Sequence, residues 1–365
     1  MSSVMDVLSL CVRKHAAIVR AQLSHVRKVL NTVLLCRSGQ LGASVKRCTG
    51  CGHEELIAHS CRNRHCPRCQ GHAAYQWLES QEQKLLPVPY FHVVFTMPHS
   101  FNELFAQNQS VCYSLLFNSV SETLLEFGRN EWQAKLGITA VLHTWGQSLV
   151  EHYHLHCIVT GGGVLEGTVE PVWKSASKHW LFSVKALSRV FRGKFVAKLK
   201  RAVKTQQLQL NKEPLAGDSE GFKQLLNEAY RQPWNVYAKR PFDGPEQVLR
   251  YLSMYTHRIA LSDKRIEQMD AAGDRVQINY KDYRDSGKRK RMWLTLGCFL
   301  ARYCRHILPR GFVKIRHYGI LANRGVTERL ATLREHIELA EQEDLIASIT
   351  EQLQPALSGA CRASR

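Results

Sequence analysis

The sequence predicts an α+β fold, an antiparallel sheet flanked by helices, with a small cysteine-bearing module near the amino terminus. Three observations carry this reading. Residues 151–160 sort with period two, His152, His154, His156 and Ile158 on one face and Tyr153, Leu155, Cys157 and Val159 on the other. Two further β-rich runs, 90–98 and 138–145, stand beside long stretches of helical spacing. Two Cys-x2-Cys pairs, Cys48 with Cys51 and Cys66 with Cys69, lie close together in the chain. The glycine run Gly161–Gly163 is expected to end the histidine strand.

Composition narrows the class of partner. The 365 residues carry a formal net charge of +19, which points to a polyanion, nucleic acid before an anionic membrane surface. No run of eighteen apolar residues exists, so no membrane span is expected. The amino terminus lacks the basic start and apolar core of a signal peptide, so the expected location is the cytoplasm. Twelve cysteines in that compartment argue against a disulfide framework.

In chain order, residues 4 to about 36 read as helix, because Val4, Val7, Leu8, Cys11 and Val12 keep i, i+3, i+4 spacing. A helix follows over 73–86 and stops at Pro87. The 90–98 run is a strand, 101–135 is helical, and 138–145 is a strand that Gly146-Gln147-Ser148 turns back towards the histidines. Residues 184–204 hold eight Lys or Arg and no acid on a helical pattern, either a docked helix with a solvated basic face or a phosphate-facing side. Pro245 opens a helix on which Tyr251 and Tyr255 share a face. Residues 276–280 and 291–296 form a hairpin, a helix runs from Leu296 to Leu308, and an amphipathic helix covers 326–353. The expected units are a helical segment over 1–42, the cysteine module over 43–75, a central domain over 85–265, a basic hairpin and helix region over 266–325, and a helix and tail over 326–365.

The residue types then suggest chemistry. Two Cys-x2-Cys knuckles each present two thiolates to one tetrahedral ion, which is a structural zinc signal. Cys48, Cys51, Cys66 and Cys69 are the preferred ligands, with Cys61 and His65 as possible substitutes. Arg62, Arg64, Arg68 and His72 surround the second knuckle. Three imidazoles on one strand face suit a second metal ion. With a tyrosine pair and a basic chain, the reaction suggested is attack of a tyrosine hydroxyl on a DNA phosphodiester. A phenol with a pKa of about 10 needs help in that role. A divalent cation supplies it, and the product is a 5′-phosphotyrosine bond with a free 3′ hydroxyl.

Several ordered motifs together resemble one family. They are His65-Cys66-Pro67-Arg68-Cys69-Gln70, His143-Thr144-Trp145-Gly146-Gln147, His152 to Val159 with its glycines, Tyr251-Leu252-Ser253-Met254-Tyr255-Thr256-His257-Arg258, and Arg316-His317-Tyr318-Gly319. Over nearly its whole length the chain resembles the insertion sequence 91 family of rolling-circle transposases, within the His-hydrophobic-His (HUH) single-strand endonucleases. The resemblance implies that His154 and His156 are metal ligands, that Tyr251 is the first nucleophile and Tyr255 the second, and that the histidines lie on a central strand of an antiparallel sheet beside the tyrosine helix. His152 is the first choice for third ligand, with Gln147, Glu151, His257 and Asp263 as alternatives. The implied cofactors are Mg²⁺ or Mn²⁺ at the histidines and structural Zn²⁺ at the cysteines, and the implied partners are single-stranded DNA and the DNA of the element ends. Competing readings are a replication initiator or relaxase with the same chemistry, a metal-dependent hydrolase, and a non-catalytic zinc-containing DNA-binding regulator.

Overall fold

The computed structural model describes residues 3–82, 84–176, 181–210, 213–217, 219–242, 247–248 and 260–339. The chain begins with α1 (Val4–Lys14), α2 (Ala16–Arg20) and α3 (Ser24–Leu34), then a hairpin of β1 (Ala43–Arg47) and β2 (Glu54–Ala58), then α4 (Gln70–Glu82). β3 (Tyr90–Thr96), α5 (Asn102–Gln107), α6 (Gln109–Trp132), β4 (Ala134–Trp145), β5 (Glu151–Leu165) and β6 (Trp173–Ser175) follow. Next are α7 (Val184–Lys204), the short pair β7 (Gln209–Leu210) and β8 (Glu213–Pro214), α8 (Glu220–Arg231) and β9 (Val236–Phe242). A three-stranded sheet of β10 (Ile266–Asp270), β11 (Arg275–Asp282) and β12 (Lys288–Thr295) leads into α9 (Leu296–Arg305) and β13 (Ile315–Gly319), and residues 326–339 are helical.

The main sheet runs β13-β4-β5-β3-β9, with β6 also paired to β5, and every pairing is antiparallel. β5 is central because both of its faces are covered. Tyr153, Leu155, Cys157 and Val159 point into a core shared with α6 and α7, where Phe101, Phe105, Phe191, Phe195 and Trp234 pack ring against ring. Removing one such side chain from water contributes about 1.5–3 kcal/mol. On the other face Ile158 packs with Tyr90, Val248 and the 326–339 helix through Leu330, Leu333 and Ile337. That helix covers the apolar half of the face and leaves the histidine half of β5 beside it.

A second core joins distant parts of the chain. Val4, Val7, Leu8 and Cys11 of α1 and Leu30 of α3 pack with Ile266, Val276, Ile278, Leu294, Phe299 and Tyr303. A capping box fastens the start of α1, with Asp6 N–H donating to Ser3 Oγ and Ser3 N–H to Asp6 Oδ2. The segments read from sequence as 1–42 and 266–325 thus bury their apolar faces against each other.

Three expectations need correction. The first helix is three helices, because His15 leaves the helical path and its Nε2 lies 2.9 Å from Asp274. The single helix over 101–135 is two, broken at Asn108, whose amide Nδ2 donates to Gln209 O while its Oδ1 accepts from Gln209 N–H at 2.8 Å. The glycine run does not end the strand, since β5 continues to Leu165. The glycines instead permit close packing of neighbouring backbone: a Cβ on Gly161 would sit 2.7 Å from Pro89 O, and one on Gly163 2.7 Å from Lys135 O. The basic helix α7 buries Leu187, Phe191, Phe195, Leu199 and Val203, and its Lys194 and Lys198 pair with Glu126 and Glu122 of α6. It is docked through that apolar stripe and these two ion pairs.

Candidate metal centres

Two groups of side chains converge among the described residues. The first is made of thiols. Cys36, Cys61, Cys66 and Cys69 bring their sulfurs within 4.8 Å of one another. Cys36 Sγ lies 3.6 Å from Cys69 Sγ, and Cys61 Sγ lies 3.8 Å from the same atom. A tetrahedral zinc with Zn–S near 2.3 Å would place its sulfurs about 3.8 Å apart. The four thiols therefore fit that ion. The knuckle is turned by Cys66 N–H donating to Asn63 O and Cys69 N–H to Cys66 O. Cys36 follows α3, and Cys61 N–H points at its sulfur.

This set differs from the one expected. Cys66 and Cys69 are in it, but Cys48 and Cys51 are not. They sit exposed at the turn between β1 and β2, where Cys48 N–H donates to His53 O. The backbone N–H groups of Cys51 and Gly50 hold the Cys48 thiol below its ordinary range. Cys61, read as a substitute, belongs to the cluster. His65 turns away from it, its Nε2 accepting from Leu308 N–H and its carbonyl from Tyr303 OH. Sequence reasoning missed Cys36 because it stands alone at a helix end, without a Cys-x2-Cys partner.

The second group is made of imidazoles. His143, His154 and His156 each offer one ring nitrogen, all within 4.8 Å. β4 and β5 position them, with His143 paired to His154 and Val141 to His156. The register shifts between His143 and Trp145, a bulge at the end of the pairing. The outer nitrogens are already engaged. His154 Nδ1–H donates to His152 O at 2.8 Å, and His156 Nδ1 lies 2.9 Å from His92 Nε2. Such partners fix a ring and present its other nitrogen to an ion. Burial pushes His154 down to about 3 and His92 down to about 4, so both are neutral at pH 7 as ligation requires. The three donors, their burial and the neutrality of His154 fit a divalent cation.

His152, the first choice for third ligand, lies outside the trio. Its ring packs on His99, 5.4 Å between centroids, and its backbone carbonyl orients His154. Glu151 is ion-paired with Arg305, and Asp263 Oδ1 accepts from Val4 N–H at 2.7 Å. Gln147 contributes its carbonyl to Arg265. Tyr251, Tyr255 and His257 lie outside the described residues. Val248, three positions before Tyr251, is buried against Ile158 on the histidine face. His143 was legible in principle. In a hairpin, residues equally far from the turn face each other, and His143 and His154 are so placed around 146–151.

A pH prediction follows from the buried imidazoles. His306 is held neutral, Nε2–H donating to Leu149 O while Nδ1 accepts from the Thr144 hydroxyl, and burial pushes it to about 4. His92, His154 and His306 all have folded pKa values below the 6.5 of a free imidazole. The unfolded chain thus binds more protons between those values, and stability present above pH 6.5 is lost as pH falls. Each group is expected to cost about 2 kcal/mol at pH 5 relative to pH 7. Zinc-loaded protein with no divalent cation added for the histidine site should unfold at markedly lower urea at pH 5. An unchanged midpoint would contradict these assignments.

Fold and sites together define a mixed helix and antiparallel-sheet protein with a thiol-rich module ahead of a histidine-bearing sheet. Comparison with known families agrees. Residues 137–329 match the family described as "Putative transposase", and residues 11–97 match the transposase zinc-binding domain of insertion sequence 91 type. The chain is 40% identical to "Putative transposase y4qJ" of Sinorhizobium fredii over 325 residues, 88% of this chain and 80% of the relative. It is 26% identical over 319 residues to the transposase for insertion sequence element IS801 of Pseudomonas savastanoi pv. phaseolicola, covering 86% of this chain and 74% of that one. The chain belongs to the insertion sequence 91 family of transposases, with an amino-terminal zinc-binding domain. No helix among the described residues is long and apolar enough to cross a membrane.

Proposed function

We propose that this transposase cleaves and rejoins single-stranded DNA from the ends of its element through a 5′-phosphotyrosine link, in rolling-circle transposition. The observation that carries the reading is the convergence of His143, His154 and His156 on the β5 face where Ile158 clusters with buried Val248, three positions before Tyr251 in the sequence. In this reading His143, His154 and His156 hold Mg²⁺ or Mn²⁺, and Cys36, Cys61, Cys66 and Cys69 hold zinc. A divalent cation held by those three imidazoles would supply Lewis-acid chemistry, polarising the scissile phosphate and stabilising charge on the leaving 3′ oxygen. Tyr251 attacks the phosphorus, the bond to the 3′ oxygen breaks, and the strand remains on the enzyme as a 5′-phosphotyrosine. The phosphodiester energy is conserved for rejoining. Tyr255, four positions further on in the sequence, takes a second strand without the first being released. His92 and the His152 carbonyl orient the ligands, and the net charge of +19 draws the polyanion in.

Substituting the tyrosines tests the assignment. Tyr251→Phe is expected to abolish the covalent adduct formed on first cleavage while leaving binding of the strand unchanged. Tyr255→Phe should permit one cleavage and block completed strand transfer. An adduct of undiminished yield in the Tyr251→Phe, Tyr255→Phe double variant would overturn the role of both.

A further inference from the structure

The histidine face of the main sheet extends past the trio towards β9. Residues paired across antiparallel strands share a face. Val94 of β3 pairs with His156 of β5 on one side and with Tyr237 of β9 on the other. His156, Val94 and Tyr237 therefore form one row across three strands. Neighbouring strands lie about 4.8 Å apart, which puts the Tyr237 backbone about 10 Å from that of His156. The next row, Ile158, His92 and Lys239, places an exposed basic residue on the same face two positions further along β9.

The core fixes which way Tyr237 points. Val236 is buried with Val93 and Phe95, and Ala238 packs against the same cluster, so the residue between them projects from the other face. Tyr237 is 59% exposed there, whereas Tyr90 and Tyr153, on the two neighbouring strands of the pairing, are each 1% exposed. Val94 and Thr96 lie between the phenol and the imidazoles, Thr96 being the partner of His154, and both are half-buried. A phenol ring standing clear of a low floor offers its π face to a planar partner, and every nucleic-acid base has such a face.

We propose that Tyr237 stacks on a base of the single strand next to the phosphate held at the histidine trio, so that β9 sets the path of the strand across the sheet. The span from His156 to Tyr237 is about the reach of one nucleotide from phosphate to base. The contact uses the ring of Tyr237 and not its hydroxyl, which makes Tyr237 a substrate-positioning residue rather than a nucleophile. This rests on the DNA-cleaving reading above for where the phosphate sits, but not on the phosphotyrosine chemistry.

The fluorescent base 2-aminopurine, quenched when it stacks, tests this. It is placed at successive positions of a single strand from an element end and mixed with the full-length protein and Mn²⁺. The quench is read on mixing, before scission, so it stands whether the strand is later cut by a tyrosine or by water. Failure of the phosphotyrosine reading is scored separately, as an adduct that survives in the Tyr251→Phe, Tyr255→Phe double variant. Quenching is expected at one position beside the scissile phosphate, lost in Tyr237→Ala and kept in Tyr237→Phe. Tyr237→Ala should weaken binding about tenfold, and an abasic residue at the quenched position should remove that difference between the two proteins. A quench unchanged in Tyr237→Ala, or a tenfold loss that persists on the abasic strand, would overturn the proposal. Loss of the covalent adduct in Tyr237→Phe would also overturn it and assign the hydroxyl as a nucleophile.

Discussion

Replacing Cys36 by serine is expected to release the zinc and unfold the amino-terminal domain, the largest stability effect of any single cysteine substitution outside the Cys36, Cys61, Cys66 and Cys69 group being far smaller. The module has little else to hold it. β1 is exposed along its whole length, and β2 has only two half-buried residues at its end. Structural zinc binding is worth about 10–16 kcal/mol in isolated zinc-finger peptides. Cys36 and Cys66 are also buried in the core shared with α1 and α9, so loss of the ion loosens that core too. Zinc content by elemental mass spectrometry and thermal unfolding check this. Cys36→Ser should retain little zinc and melt early, whereas Cys48→Ser and Cys51→Ser, altering exposed thiols at a hairpin turn, should keep the ion at the four-thiol site. Zinc lost from Cys48→Ser and kept by Cys36→Ser would restore the pairing of the two Cys-x2-Cys knuckles.

The second large effect is catalytic. His143→Ala is expected to impair cleavage as severely as His154→Ala or His156→Ala, because the three nitrogens form one set. Outer partners of metal ligands typically cost about 10–100-fold when removed, and His92→Ala should fall in that range through its contact with His156. The ligand substitutions should exceed it. His152→Ala should have a much smaller effect, since the group that orients His154 is the backbone carbonyl, which the substitution leaves in place. Cleavage rates measured across a Mn²⁺ titration separate these cases. Loss of activity in His152→Ala with near-normal rates in His143→Ala would return the third ligand to the first-choice position on β5.

What could be read from sequence followed the period of the signal. The alternation along β5 placed Tyr153 to Val159 on the core and the histidines on the opposite face, and both hold in the structure. The α7 helix was legible from its apolar stripe, although the acids that pair with Lys194 and Lys198 lie on α6, far away in the chain. Longer-range choices were not carried by periodicity. His152 and His143 both neighbour His154, one along the strand and one across it, and the cross-strand pairing decides which ring reaches the ion. Cys36 joins Cys61 and Cys69 only because α3 folds back over the knuckle, a contact local spacing does not encode. The strand pairing of Ile315–Gly319 with β4 is likewise a tertiary choice, made by a short basic and aromatic segment with no strict alternation.

The most direct test of the phosphotyrosine account is a strand-end labelling measurement. Single-stranded DNA from an element end is labelled at its 3′ end or its 5′ end, incubated with protein and Mn²⁺, and run on a denaturing gel. The account predicts that the 3′ label migrates with the protein in a protease-sensitive band, that the 5′ label appears as a free fragment ending in a 3′ hydroxyl, and that chelator or His143→Ala removes both. Cleavage that leaves both labels free of protein would contradict it and assign the histidine site to hydrolysis.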